Sequence, residues 1–184
     1  MAAFEYYGDL NKYYGTGPGQ ALGRVQGVGY VNELLARLTG TPVSDATQTN
    51  STLDADPATF PLGRALYADF SHDSQIAAIL AALGLFDAPA LNTTVAPRTP
   101  QPAGAYVTSR LVPFSGRLVT ERLTCRGARG RRAGEYVRMF VNDAKQPLSF
   151  CAGAHDGLCA LDSFVRSQNY SRSDGAGDWE KCFA

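Results

Sequence analysis

The chain has 184 residues, of which 45% are hydrophobic and 18% are charged, and its formal net charge is zero. This composition predicts one globular domain with a sizeable core and excludes a disordered chain. It also argues against nucleic-acid or anionic-membrane binding through net charge, and no apolar run is long enough to span a bilayer.

The N-terminal third predicts helices separated by loops. Residues 4–14 are aromatic-rich and partly helical, and the glycine-dense segment that follows lacks the G-K-[ST] ending of a phosphate-binding loop. The next helix runs through residues 30–40, because four apolar residues recur at i, i+3, i+4 and i+7: Val31, Leu34, Leu35 and Leu38. Gly40 would end this helix, and Glu33 with Arg37 would form an i,i+4 pair on it. Residues 41–63 are rich in Pro, Ser, Thr and Asp and predict a long polar loop.

A short buried strand is predicted at residues 65–70, followed by a helix from Ser74 to Gly84. His72 and Asp73 lie at this junction, in the stretch L-Y-A-D-F-S-H-D-S. A helix N-terminus favours anions, so His72 could bind a phosphate oxygen and Asp73 could give a proton to a leaving alcohol. The alternative is that Asp73 or Ser71 only caps the helix.

The C-terminal half predicts a β-hairpin and one more helix. The two predicted strands are residues 118–124 and 136–141. The helix is predicted around residues 161–168. Four arginines occupy the glycine-rich turn between the strands and are interpreted as solvated: Arg126, Arg129, Arg131 and Arg132.

Cysteines and glycosylation sequons indicate a secreted, extracellular glycoprotein. Four cysteines are present (Cys125, Cys151, Cys159 and Cys182), and N-x-[ST] occurs at Asn50, Asn92 and Asn169. The start of the sequence has no signal-peptide pattern, so we expect the natural N-terminus to lie upstream. A local disulfide is the favoured interpretation of Cys151 and Cys159, with a metal site that includes His155 as the alternative.

Many short motifs appear in one order, among them K-Y-Y-G, Q-G-V-G-Y-V-N-E-L-L-A-R-L-T, P-A-T-F-P-L, L-Y-A-D-F-S-H-D, A-L-G-L-F, D-S-F-V-R and G-D-W-E-K-C-F-A. Together they resemble the C-terminal part of fungal phytases, which are members of the histidine acid phosphatase family. The resemblance implies an α/β, phosphoglycerate mutase-like fold that is incomplete, with residues 1–184 forming the C-terminal portion of a single mixed α/β sandwich domain.

The resemblance also implies an activity, the hydrolysis of phosphate monoesters such as phytate through a phosphohistidine. Asp73 matches the family's proton donor and His72 matches its phosphate-binding histidine. No cofactor or metal is expected, and neither nucleic acid nor a membrane is expected as a partner. The family's nucleophile lies in an R-H-G-x-R-x-P motif, and this sequence contains no R-H-G. The expected partner is therefore the absent N-terminal half of the same enzyme, and the alternative is a catalytically silent fragment that acts as a structural or interaction module.

Two smaller departures concern substrate binding. Phytases commonly place two lysines before Y-Y-G, where this chain has Asn11 and Lys12, and the family often has Asn where this chain has Ser74. By the same resemblance Cys151 and Cys159 match a local disulfide. Cys125 and Cys182 match cysteines bonded into the absent half.

Overall fold

The structure is a computed structural model that describes residues 2–96, 105–127 and 132–184. The chain divides into two compact units, each described here by itself. The helical unit comprises the residues up to Phe114 together with Tyr170–Ala184, and the sheet unit comprises Ser115–Asn169.

Among its described residues, the helical unit contains six helices before the sheet unit begins: α1 (Ala2–Gly15), α2 (Ala21–Val25), α3 (Val28–Thr39), α4 (Ser51–Ala55), α5 (Asp73–Ala82) and α6 (Thr108–Leu111). A 3₁₀ helix closes the chain at Glu180–Phe183. The short helices α2, α4 and α6 were not predicted, because four or five residues carry too little hydrophobic periodicity to stand out.

Helix α3 forms as its apolar spacing predicts. Its four periodic residues are at most 9% exposed, and Gly40 follows with φ 70, the left-handed conformation that ends many helices. The ion-pair partner of Arg37, however, is not the residue that the spacing predicts. Arg37 Nη1 pairs with Asp69 Oδ2 at 2.6 Å, and Glu33 is only one of the charges near it.

Helix α5 is buried on almost every side from Ala77 to its end, as expected for a helix that is apolar all round. It lies against the α2–α3 junction, where the backbone of Gly27 approaches the carbonyl of Ala78. A Cβ at Gly27 would lie 2.3 Å from that oxygen, so only glycine permits this contact. The close approach fixes the helix whose first turn carries His72 and Asp73.

Helix α1 is tied to the segment after α5 by tyrosine hydroxyls. Three of them donate to main-chain carbonyls: Tyr6 to Asn92 at 3.0 Å, Tyr13 to Ala88 at 3.0 Å and Tyr14 to Leu91 at 2.9 Å. The aromatic-rich start of the chain is therefore a structural clamp that places α1 beside α5.

The strand predicted at residues 65–70 is wrong. These residues form an extended, irregular segment, and Leu66 and Phe70 are 83% and 101% exposed. A strand is stabilised by a neighbour's hydrogen bonds, and no strand among the described residues pairs with this one. Tyr67 is half-buried and its ring contacts the Arg37 guanidinium, but the described part of the chain does not bury Leu66 or Phe70.

The sheet unit contains the predicted hairpin. Strand β1 (Leu118–Cys125) pairs antiparallel along its whole length with β2 (Gly134–Val141), from Leu118 opposite Val141 to Cys125 opposite Gly134. The other edge of β2 pairs with two short strands, β3 (Ala144–Lys145) and β4 (Cys159–Ala160). Arg126 and Arg132 are exposed beside the turn, whereas Arg129 and Arg131 fall outside the described residues.

The core of the sheet unit lies on one face of β2. Val137, Met139 and Val141 alternate inward and are at most 4% exposed. Helix α7 (Leu161–Ser167), which confirms the predicted C-terminal helix, buries Phe164 completely. Helix α8 (Asn169–Arg172) leads back into the helical unit. No helix in the described ranges has the length and apolar character that crossing a membrane requires.

Candidate active site

The first turn of α5 carries His72 and Asp73 side by side. His72 occupies the N-cap position with extended backbone (φ −123, ψ 163), and Asp73 is the first residue of the helix. Both side chains are exposed. The free N–H groups of a helix N-terminus and its positive dipole end favour a negative charge here.

Simple capping does not account for these residues. The N-cap position belongs to His72, and its side chain makes no capping hydrogen bond. Ser71, one of the two expected caps, donates its hydroxyl instead to Gln75 Oε1 at 3.4 Å. Asp73, the other, lies one position too late, although its Oδ1 accepts the Ser74 N–H at 2.7 Å.

Lys12 reaches this carboxylate from α1. Its Nζ lies 2.8 Å from Asp73 Oδ2 and donates to Ser74 Oγ at 2.5 Å. The Lys12 side chain is only 22% exposed, so it is not the solvated lysine that a surface helix would allow. Ser74 completes the cluster, because its hydroxyl lies 3.3 Å from Asp73 Oδ1.

These contacts set the charge of Asp73. The hydrogen bond from Lys12 and the one from the Ser74 N–H lower the pKa of Asp73 below its ordinary 3.8. Asp73 is therefore ionised in this structure above strongly acidic pH. A raised pKa for this carboxyl would require burial or a nearby negative charge.

Of the residues predicted to bind substrate, the structure brings Lys12 and Ser74 to the His72–Asp73 pair. Asn11 is exposed, and the described contacts of Asp73 do not include it. One residue of this neighbourhood was missed by sequence reasoning: Gln75, whose Oε1 lies 3.0 Å from His72 Nδ1. The spacing of three between an N-cap residue and a Gln is the capping-box spacing, and it could have identified the contact.

A cavity of about 260 Å³ lies beside the start of α5, where Ser71 and Gln75 line it. Its lining is mostly polar and includes Gln26, Tyr30, Glu33 and Gln48. Burial raises the pKa of Glu33 from its ordinary 4.5 to about 6, with the charge of Asp54 as the next contribution. This cavity was not predicted, since its residues come from three separate segments, 26–33, 48–49 and 71–79.

The cysteine predictions divide into a confirmed part and an untested part. Cys151 and Cys159 form the predicted disulfide, which removes both sulfurs from the alternative metal site with His155. His155 is exposed in the disulfide loop. Cys125 and Cys182 are free thiols in this structure. Within the described ranges no three His, Cys, Asp or Glu side chains are grouped to hold a metal ion.

Comparison with known proteins places this geometry in context. A family model described as "Histidine phosphatase superfamily (branch 2)" matches residues 1–142. Phytase A of Aspergillus awamori is 47% identical over 182 residues, and Phytase A of Arthroderma benhamiae is 42% identical over 179. These alignments cover 98% and 97% of this chain but only 38% and 39% of the relatives.

A solved structure shows the same fold. The crystal structure of the phytase from D. castellii matches with a TM-score of 0.64 at 22% identity, over 92% of this chain and 31% of that one. The prediction that the chain has the fold of such an enzyme, and corresponds to only a part of it, is confirmed.

Proposed function

Because the chain belongs to branch 2 of the histidine phosphatase superfamily, we propose that it is the proton-donor portion of a phosphomonoester hydrolase. The reaction is the hydrolysis of phytate or a related phosphate monoester through a phosphohistidine. The observation that carries this proposal is the arrangement at the start of α5, where His72, Asp73 and Lys12 meet at an exposed helix N-terminus.

Each of the three side chains has a chemical role in the proposal. His72 donates a hydrogen bond to the phosphate, with the helix dipole adding favourable potential for the anion. Asp73 protonates the leaving alcohol and then, as a carboxylate, takes a proton from the water that attacks the phosphohistidine. Lys12 binds phosphate charge from the α1 side.

The lowered pKa of Asp73 is compatible with this role only if the substrate changes it. A phosphate dianion beside Asp73 raises the pKa of the carboxyl, because two like charges disfavour ionisation. The same dianion competes with Asp73 for Lys12 and so weakens the hydrogen bond that contributes most to the lowered pKa. Substrate binding would thus convert Asp73 from a lysine-paired carboxylate into an acid.

The nucleophile must come from outside this sequence. The chain has two histidines and no R-H-G, and His155 is an exposed residue of the disulfide loop. We therefore propose that an N-terminal half of the same enzyme supplies the phosphohistidine and the arginines that bind the phosphate, and that residues 1–184 form one domain with it. The exposed apolar segment 65–70 supports this, because Leu66 and Phe70 need a partner to be buried.

Substrate preference follows from residues 11 and 12. Lys12 retains one of the two cations that phytases commonly place before Y-Y-G, while Asn11 is neutral and exposed. We propose that Ser74 and Asn11 contribute weaker polar contacts. The enzyme then hydrolyses phytate with less preference over simple phosphate monoesters than one with two lysines.

A secreted, glycosylated location completes the proposal. The three sequon asparagines, Asn50, Asn92 and Asn169, are all exposed, which attachment of a glycan requires. The Cys151–Cys159 disulfide is of the kind that persists in oxidising compartments.

Complementation tests the proposal against the silent-fragment alternative. The 184-residue chain is assayed on a chromogenic phosphate ester near pH 5, alone and mixed with the part of Aspergillus awamori Phytase A that it does not cover. We expect background rates for either part alone and turnover for the mixture. Turnover by the isolated chain would contradict the missing-nucleophile argument, and an inactive but associated mixture would favour the silent fragment.

A further inference from the structure

The His72 ring makes one specific contact with the helix that follows it. Its Nδ1 lies 3.0 Å from Oε1 of Gln75, three residues further along the chain. His72 precedes α5 in extended conformation and Gln75 is the third residue of the helix, so the ring folds back over the first turn. The ring makes no capping hydrogen bond to the helix, and it contacts the Gln75 amide instead.

An amide oxygen accepts hydrogen bonds and cannot donate them, so Nδ1 must carry the proton of this contact. Two donors converge on the same oxygen, since Ser71 Oγ also lies 3.4 Å from it. In the neutral ring, Nε2 is then the unprotonated nitrogen.

We propose that Gln75 is the positioning residue of His72. It fixes the Nδ1–H tautomer and turns Nε2 outward, so that Nε2 becomes a donor to an anion only when the ring is protonated. The identity of that anion as a phosphate rests on the proposed function. The tautomer and the orientation of the His72 ring do not depend on the proposed function.

An amide that orients the histidine differs from the usual arrangement, in which a carboxylate does so. The carboxylate next to His72 is already engaged, because Asp73 Oδ2 pairs with Lys12 and Asp73 Oδ1 accepts from Ser74. The neutral amide of Gln75 takes over the orienting role. It fixes the ring without adding a negative charge that would compete with a bound anion.

Gln75 is suited to this role because the helix backbone that carries its exposed side chain is packed. It precedes the buried residues Ala77 and Ala78 of α5, and the carbonyl of Ala78 is in close contact with Gly27. The Gln75 side chain also lines the cavity that contains Glu33. The amide therefore stands on a packed helix and not on a loop, which limits its movement relative to the His72 ring.

Nitrogen-15 NMR of the imidazole rings in the 184-residue chain tests the proposal without requiring turnover. The chain has two histidines, so His155 serves as an internal reference in every spectrum. At a pH where both rings are neutral, we expect His72 to show a protonated Nδ1 and an unprotonated Nε2. Gln75→Met, which removes the acceptor at similar length, should shift His72 toward the Nε2–H tautomer, whereas Gln75→Glu, which keeps an acceptor oxygen, should retain Nδ1–H.

Gln48→Met is the matched control, because Gln48 lines the same cavity and its amide donates to the Gln26 carbonyl at 2.6 Å. We expect it to leave both rings unchanged. An Nε2–H tautomer for His72 in the unmodified chain would overturn the proposal, as would an unchanged tautomer in Gln75→Met. If Gln75→Met perturbs folding, the comparison of the unmodified chain with Gln75→Glu still decides, since loss of Nδ1–H in either contradicts the assignment.

Inorganic phosphate separates this proposal from the proposed function. With only this chain labelled and mixed with the uncovered part of Aspergillus awamori Phytase A, at a pH low enough to protonate the His72 ring, added phosphate should shift the His72 resonances and not those of His155. The half-saturating concentration should rise about tenfold in Gln75→Met, because the protonated ring is no longer oriented toward the anion and one hydrogen bond to a charged group is lost. A tautomer that follows Gln75, with no phosphate response even in the mixture with the uncovered part of Aspergillus awamori Phytase A, would leave the positioning role intact and contradict the proposed function. A phosphate response together with a His72 tautomer that does not change in Gln75→Met would support the proposed function and contradict the positioning role of Gln75.

Discussion

Lys12 Nζ lies 2.8 Å from Asp73 Oδ2, so a cation of α1 contacts the carboxylate that begins α5, sixty-one residues away in sequence. The pair connects the two helices that the tyrosine clamp holds together. It also lowers the pKa of Asp73, so the ionisation of this carboxyl depends on whether Lys12 or another charged group lies next to it.

Replacing Lys12 by Met should raise the pKa of Asp73 toward its ordinary 3.8, because the largest cause of its lowered pKa is the hydrogen bond from Lys12. A carboxyl whose pKa is lowered by folding stabilises the fold above its ordinary pKa, and this contribution is lost as pH falls through the folded value. The variant should therefore lose less stability on acidification than the unmodified chain. Carboxyl-carbon NMR titration of Asp73 measures the shift directly. Lys145→Met, which breaks a surface pair with Asp156 in the sheet unit, is the control and should leave Asp73 unchanged.

Gly27→Ala should destabilise the helical unit by about 1–3 kcal/mol, the usual cost of inserting a methyl group into a packed contact. The new Cβ would lie 2.3 Å from the Ala78 carbonyl oxygen, which belongs to the α5 backbone and cannot move alone. Gly8→Ala is the matched control, since nothing lies within 4 Å of its added Cβ and it lies within α1. That control should gain about 0.5–1 kcal/mol from helix propensity. Urea unfolding measures both, and equal stability of the two variants would contradict the packing described here.

Glu33→Gln should change how stability varies between pH 4 and pH 7. The folded chain raises the pKa of Glu33 from 4.5 to about 6, so the folded state holds the proton over a range where the unfolded state releases it. Stability is then lost as pH rises from about 4.5 through 6. The full shift corresponds to about 2 kcal/mol, and solvent screening of this half-buried group reduces it to roughly 1 kcal/mol. Gln cannot ionise, so the variant should lose this slope, and an identical pH profile would show that Glu33 is not desolvated.

Removing the disulfide by Cys151→Ala with Cys159→Ala should cost the sheet unit about 2.5 kcal/mol, as chain-entropy estimates give for a loop of this length. The sequence separation is 8, and both cysteines are buried beside β4. Hydrogen exchange should report faster opening at the β2–β4 pairing than at the β1–β2 pairing. Cys125→Ala is the control that leaves the disulfide in place, and it should not change the exchange of β4.

Local patterns accounted for most of the fold. The apolar period of α3, the glycine at its end and the paired strands β1 and β2 are properties of short windows, so the sequence indicates them well. The strand prediction for residues 65–70 was wrong, because an apolar run forms a buried strand only where other strands are available to pair with it. The charge of Arg37 acts on Glu33 as the i,i+4 spacing predicts, but the spacing could not indicate the closer ion pair with Asp69, because Asp69 lies outside the helix.

The candidate site was predictable in its residue types but not in its contacts. His72 and Asp73 stand out through their place before a helix and through the family resemblance. The proximity of Lys12 to Asp73 depends on how α1 packs, and no local pattern specifies that. The cavity beside Gln75 depends on the meeting of three segments, which only the three-dimensional arrangement shows.

The most direct test of the central claim, that Asp73 is the proton donor, is a chimera in which this chain replaces the matching 38% of Aspergillus awamori Phytase A. Steady-state phytate hydrolysis is measured for the chimera, for its Asp73→Asn form and for Asp143→Asn, an exposed position in the sheet unit that serves as control. We predict that Asp73→Asn lowers kcat by about 10²–10⁴-fold, the usual contribution of a general acid, and leaves KM within a few-fold. The control should retain full turnover. Equal kcat in the Asp73→Asn and control chimeras would contradict the assignment.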